Sequence, residues 1–371
     1  DYGMCLDIPS MILMSQDNVE KHGITTIEEC KIATHINNDY FIHNRTGACK
    51  FLNVLQGQNH TQSDEWYEEF KMYADPAFYP DNHFNGWAFG GQNKIDIHLM
   101  LRRIIFLIHD GLLGQGKHDL LHCLGTSILE YAVLFTDIQK AVRKYHNPDF
   151  KITFDCASPF FGAAKGLAYN NSTFEHGTKW TYSMEKTAEN KDYANDNRPF
   201  RDAVLQEGVH EKFGESPVTK ALVLKDLCYR GHGFLNKHGK ETKTSWDTLS
   251  YTILQAHNVY QHMFSVQEAN RQYEAGSIPA MLLNETFERI TFTDLVDEIF
   301  SLKDKQKSLD LLDQYSKFWM QIKAGSSGYS GKRAVNANTM FDELFSVTAE
   351  PEINTTDEVE DTDEVMKGLI D

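Results

Sequence analysis

The sequence lacks any run of about 18 apolar residues, the length that crosses a bilayer, and Asp1–Ser10 has none of the charged-then-apolar patterning of a secretion signal. A soluble, cytoplasmic protein with no membrane partner is expected. The six cysteines, Cys5, Cys30, Cys49, Cys123, Cys156 and Cys228, have no framework spacing, which suits reduced thiols better than disulfides. No glycine-rich nucleotide fingerprint follows the first apolar segment, which weakens a dinucleotide-binding fold. Among sixteen histidines there is no HExxH and no HxH after a strand, so a metallohydrolase is not expected. His60, His83 and His118 read as surface loop residues. There is no internal repeat. Positive charge is short as well, 36 Lys and Arg against 53 Asp and Glu, for a net of −17. Glu350 to Asp371 alone carries a net of −8. The remaining chain is only mildly acidic and could meet a nucleic acid through a local basic groove.

What is there is an alternation of short apolar strands with amphipathic helices, the pattern of a parallel α/β fold. Tyr2–Ile8 reads as a strand. Thr25 with Glu28, or Thr26 with Glu29, offers a capping box for a helix carrying Ile27, Cys30, Ala33 and Ile36 on its apolar face. Phe51–Gln56, Gly86–Gly91, Leu120–Gly125 and Lys151–Asp155 read as further strands, each but the last followed by a helix. Ser127 with Glu130 reads as the cap of the fourth. Five strand–helix steps fit a TIM-type (β/α)8 barrel of which five units are visible, or an open doubly wound sheet. Polar residues or glycines, Asp7, Gln56, Gly90–Gly91, Gly125 and Asp155, stand at the strand ends, and barrel enzymes place their chemistry at that rim. Four segments follow: a partial barrel with a base-binding pocket over 1–159, a polar insertion over 160–215, a helical region over 216–323, and a linker with an acidic, disordered tail over 324–371. In the third, Trp246–Tyr273 is the clearest helix.

The strand ends resemble a family. Gly3-Met4-Cys5-Leu6-Asp7, Asn53-Val54-Leu55-Gln56-Gly57, Phe84-Asn85-Gly86-Trp87-Ala88-Phe89-Gly90-Gly91, His122-Cys123-Leu124-Gly125 and Phe154-Asp155-Cys156-Ala157 are similar, in order and approximate spacing, to the strand-end motifs of the guanine transglycosylases. The resemblance runs from Tyr2 to about Tyr273 and implies exchange of guanine in a nucleic acid for a 7-deazaguanine base. By it Asp155 is the nucleophile, forming a covalent sugar intermediate that divides one displacement into two. Asp7 accepts from the N1–H and exocyclic amine of guanine, Gln56 reaches the O6 side, and Gly90 and Gly91 let a backbone N–H approach the base. The target base leaves its stack to reach them. Each residue has a plainer reading: a helix N-cap for Asp155, a loop cap for Asp7, a polar strand end for Gln56, a tight turn for the glycines.

The resemblance also implies a structural zinc. Ala256-His257-Asn258 matches the family's zinc histidine, but of its cysteine cluster only Cys228 remains, with His232 nearby and His238 further on. Cys228, His232 and His257 either hold zinc as a mixed N/S site or are ordinary polar residues. The chain begins at a strand the family places near mid-barrel. The missing half, with the family's general base, is therefore expected from a longer polypeptide, a second copy or another chain. Ala157-Ser158-Pro159 after Asp155 resembles archaeal enzymes and the DNA-modifying branch of phages and genomic islands, favouring DNA over tRNA and, for a phage protein, the host cytoplasm. A tRNA enzyme and a non-catalytic partner subunit are the alternatives.

Overall fold

A computed structural model describes residues 1–114, 116–164, 166–187, 193, 195–201, 214–227, 248–283 and 290–326. Its centre is a sheet of five strands, β1 (Tyr2–Met4), β2 (Lys50–Leu55), β3 (Gly86–Phe89), β4 (Leu120–Cys123) and β5 (Lys151–Phe154), adjacent in sequence order and parallel throughout. The sheet curls into half a barrel. Parallel neighbours need a crossover, and helices supply it: α1 (Gln16–His22) with α2 (Ile27–Asn44), then α3 (His60–Phe70), α4 (Ile97–His109) and α5 (Tyr131–Tyr145). Of the two capping boxes the sequence offers, Thr26 with Glu29 is the one used. The expected cap of α5 is not formed: Glu130 is the N-cap residue without a capping side chain, and its carboxylate accepts the Trp180 N–H instead.

Register sorts the side chains by face, because paired residues of a parallel sheet share one. Asn53, Trp87 and Leu121 form one row. Asn53 donates to the Phe70 carbonyl and the Trp87 indole to that of Leu112, so this face meets the helices. Val54, Ala88, His122 and Thr153 form the alternate row, on the concave side. Continuing that alternation two residues brings Gln56, Gly90 and Asp155 to the rim on the same side. Among the described residues β1 and β5 each have a strand on one side only.

α2 keeps part of its expected apolar face, with Cys30 buried, Ile27 and Ala33 half-buried, and Ile36 exposed. It buries Cys30, Thr34, Asn38 and Ile42, while Ile32, Ile36 and Tyr40 face outward, Ile36 at 65 % exposure. Of the polar residues on the inner face, Thr34 has a use, its hydroxyl accepting the Ile8 N–H and donating to the Cys30 carbonyl, while the buried Asn38 amide has no hydrogen-bond partner among the described residues. His118 also departs from its surface reading, being buried with a positive φ. Within the expected polar insertion, Leu167–Tyr169 pairs antiparallel with Met184–Lys186. The long helix forms over Thr248–Glu274. Helices Phe292–Ser301, Lys305–Gln314 and Ser316–Ser326 then return to α4 and α5. There Asp297 bonds Lys144 and Tyr145, and Lys323 pairs with Asp96. No helix of the described residues is long and apolar enough to cross a membrane.

α3 and α4 are strapped by charge. Arg103, fully buried, donates to Asp64 at 2.5 Å and to Ser63 at 3.0 Å, and Arg102 takes the other Asp64 oxygen at 2.7 Å. Removing the carboxylate leaves a buried guanidinium uncompensated. Asp64→Ala is expected to lower stability by about 3 kcal/mol, read as a fall in the urea midpoint with an unchanged slope.

Candidate functional site

The rim carries two polar clusters. In the first, Gln56 Nε2 donates to Asp7 Oδ2 at 2.6 Å, across the ends of β1 and β2. So short a bond to a carboxylate is charge-assisted and fixes the amide orientation. Gln56 is only 4 % exposed, and its side-chain oxygen Oε1 is buried with no protein partner among the described residues. Gln56 lies beneath the glycine pair. A Cβ on Gly90 would fall 2.3 Å from Gln56 Nε2, and one on Gly91, whose φ is +55°, would meet the Gly57 carbonyl at 2.6 Å. The glycines are thus required by close approach of the β2 end. The Gly90 N–H is already spent on the Leu55 carbonyl, so a ligand would have to use Gly91. Asn93, fully buried, ties the same turn down by donating to the Gln56 backbone carbonyl at 3.0 Å.

In the second cluster, Asp155 Oδ1 accepts the Gly125 N–H at 2.9 Å and bonds His122 Nε2 at 3.1 Å, and Thr153 Oγ1 holds His122 Nδ1 at 2.9 Å. Gly125 has φ +63°, the left-handed conformation that glycine adopts without strain. The carboxylate does not act as a helix N-cap. Among the described residues no protein group bonds Asp155 Oδ2, and the side chain is 62 % exposed, so one oxygen is held and the other is open. Lys94 lies behind this group, 3 % exposed, donating to the carbonyls of Leu124 and Gly125. Gly91 and Lys94 bound one short 3-10 turn, which links the clusters.

The two carboxyls are tuned in opposite directions. Burial pushes that of Asp7 above its ordinary value, and the Gln56 bond only partly offsets this. The His122 bond, the Gly125 N–H and the Lys94 charge hold Asp155 below the usual range. Burial in turn lowers Lys94 to about 8.

Sequence reasoning picked out Asp7, Gln56, Gly90, Gly91 and Asp155, but gave no role to His122, Asn93 or Lys94. The available signal was Gln92-Asn93-Lys94, three polar residues wedged between an apolar strand and an apolar helix. At the expected zinc site, Cys228 and His232, like His238, lie outside the described residues. Among the described residues no three His, Cys, Asp or Glu side chains cluster as metal ligands. His257 is buried, with Nε2 on the Tyr169 carbonyl at 2.8 Å and Nδ1 on the Ser216 hydroxyl at 2.9 Å. A carbonyl only accepts, so Nε2 carries the proton and Nδ1 the lone pair. That is the orientation of a metal-ligating histidine, with Ser216 in the ligand direction.

Two outcomes follow from the rim. Gly90→Ala forces Gln56 aside and is expected to cost about 1–3 kcal/mol, whereas Gly114→Ala, where a Cβ meets nothing within 4 Å, serves as a near-neutral control; thermal unfolding compares them. A raised acid is destabilising once ionised and a lowered one stabilising. Asp7→Asn should therefore raise the melting temperature at pH 7 and lose that gain below the ordinary carboxylate range. Asp155→Asn should lower it at pH 7 and converge on wild type as pH falls through the depressed value.

No protein-family model, curated protein or solved structure matches the chain; what the rim can do is set by its own residues.

Proposed function

We propose that the chain is the greater part of a (β/α)8-barrel transglycosylase that exchanges guanine for a 7-deazaguanine base in nucleic acid, in DNA rather than tRNA. The observation that carries this reading is an exposed carboxylate, held ionised through one oxygen and open at the other, on the same rim as a second carboxylate suited to a purine edge. Asp155 Oδ2 attacks C1′ of an extruded nucleotide. The glycosidic electron pair leaves with guanine, which takes up a proton, and a sugar ester remains on Asp155. The N9 of the incoming 7-deazaguanine then attacks C1′, loses its proton and returns the electron pair to the carboxylate. In both steps Asp7 accepts from N1–H and the exocyclic amine, a pairing adenine lacks. Gln56 contributes by fixing Asp7, and Gly91 offers the backbone N–H, since that of Gly90 is bonded to the Leu55 carbonyl.

The edges of β1 and β5 take further strands, from the rest of a longer polypeptide, a second copy or another chain. Tyr2, Met4 and Leu6, exposed on β1 and just after it, are apolar residues that such a contact would cover. A structural zinc, when bound, would cross-link the helical region through Cys228, His232 and His257 Nδ1. It has no part in the exchange steps.

The test is exchange of labelled guanine by the protein isolated with its native partners, offered guanine-containing DNA and tRNA in parallel. Label should enter DNA, and Asp155→Asn should reduce the rate on the order of 10⁴-fold or more, as loss of a nucleophile does elsewhere. Exchange into tRNA alone would reassign the substrate. Full activity in Asp155→Asn would end the mechanism.

A further inference from the structure

Lys94 is the one buried ammonium against the rim cluster, and burying a charge is costly unless it serves a partner. Its Nζ donates to the Leu124 carbonyl and, at 3.3 Å, to that of Gly125. These carbonyls belong to the loop that returns to Asp155 twice: the Gly125 N–H binds Oδ1 at 2.9 Å, and the Thr126 N–H binds the Asp155 backbone carbonyl at 2.7 Å. The loop's conformation, left-handed at Gly125, is therefore set from both ends. The titratable groups that act on the ammonium are Cys123 and Asp155, and those that act on Asp155 are His122 and Lys94. Cys123 is fully buried and its thiol is pushed far up, so it stays protonated. Among the described residues Asp155 is the only anion of the cluster.

Resting on the transglycosylase reading above, we propose that Lys94 is a positioning residue for Asp155, clamping the Leu124–Gly125 carbonyls so that the Gly125 N–H stays aimed at the carboxylate and placing a positive charge behind it. Its effect on the two half-reactions is unequal. Formation of the sugar ester discharges Asp155, and cleavage restores the charge. A cation and an N–H directed at the carboxylate favour the ionised form, and so favour the second displacement, in which Asp155 is the leaving group. Lys94 thus biases the cycle toward release of the nucleic acid. It also makes that step sensitive to alkaline pH, because the ammonium discharges near pH 8.

The test reads Asp155 directly, by carboxyl-carbon NMR of the full chain from pH 2 to 10, in wild type and in Lys94→Met. Wild type should show its main titration below the ordinary aspartate range, with a smaller step near pH 8 as Lys94 loses its proton. In Lys94→Met the main titration should move up and the small step vanish. The second arm quenches turnover with acid and weighs the protein: the variant should accumulate sugar ester because its breakdown slows by on the order of 10²-fold. A residue needed only for packing would slow both half-reactions without accumulation. Should Lys94→Met not fold, the wild-type arm still decides, since ester should build up as pH rises through 8. An Asp155 titration unaltered by the substitution, or in wild type lacking the alkaline step, overturns the proposal whatever the exchange assay gives. The expected titrations with no ester on Asp155 at any pH would retain the coupling of Lys94 to Asp155 and remove the transglycosylase reading.

Discussion

A strand can lie parallel to its predecessor only if the chain crosses back over the sheet between them, and the rest of this structure depends on that constraint. Four successive crossovers leave all five strands pointing one way. The residues that follow each strand therefore collect along one rim, however far apart they are in sequence. Asp7 and Gln56, 49 residues apart, meet in a hydrogen bond there, as do Gly125 and Asp155, 30 apart. The helices hold this arrangement by the Asp64–Arg103 strap, which reaches the rim turn through Ser63 and Asn93, and by the apolar face of α4.

At the rim the two aspartates show how environment divides one side-chain type into two roles. Asp7 is desolvated and raised, so its ionised form is a source of instability built into the rim. Asp155 is partly solvated, with a histidine, a backbone N–H and a buried lysine favouring its charge. A pair of carboxyls driven apart in this way is a pattern from which acid–base and nucleophilic roles are commonly assigned. Its physical basis here is the difference between a strand end sealed under Gly90 and one facing the open concave side.

Much of the fold was legible because it rests on local signals. Alternating apolar strands, the Thr26–Glu29 box and the Thr248–Glu274 helix each follow from residues close in sequence. The structured strands are mostly shorter than the sequence implies; Tyr2–Ile8 contracts to Tyr2–Met4, since polar or loop-forming residues beyond it find partners outside the sheet, as Ile8 does with Thr34. The phase of α2 was legible only in part: Cys30 and Ile27 turn inward as their apolar character implies, but Ile36 faces out while Thr34 takes an inner position through its bond to the Ile8 N–H. Within the site, residues at strand ends could be named, but their division of labour could not. That Gln56 steadies Asp7, that Gly90 accommodates Gln56, and that His122 and Lys94 act on Asp155 all depend on approaches between strands that no spacing in the sequence encodes.

The most direct measurement locates the bond that the proposed mechanism requires. The full chain, isolated with its native partners, is mixed with guanine-containing nucleic acid in the absence of free base, quenched in acid, nuclease-treated, digested and mapped by tandem mass spectrometry. The account predicts a sugar esterified to Asp155, on the peptide carrying Phe154 and Cys156, with guanine released in equal amount. A sugar attached to any other residue, or base exchange at full rate with Asp155 unmodified throughout, would contradict it.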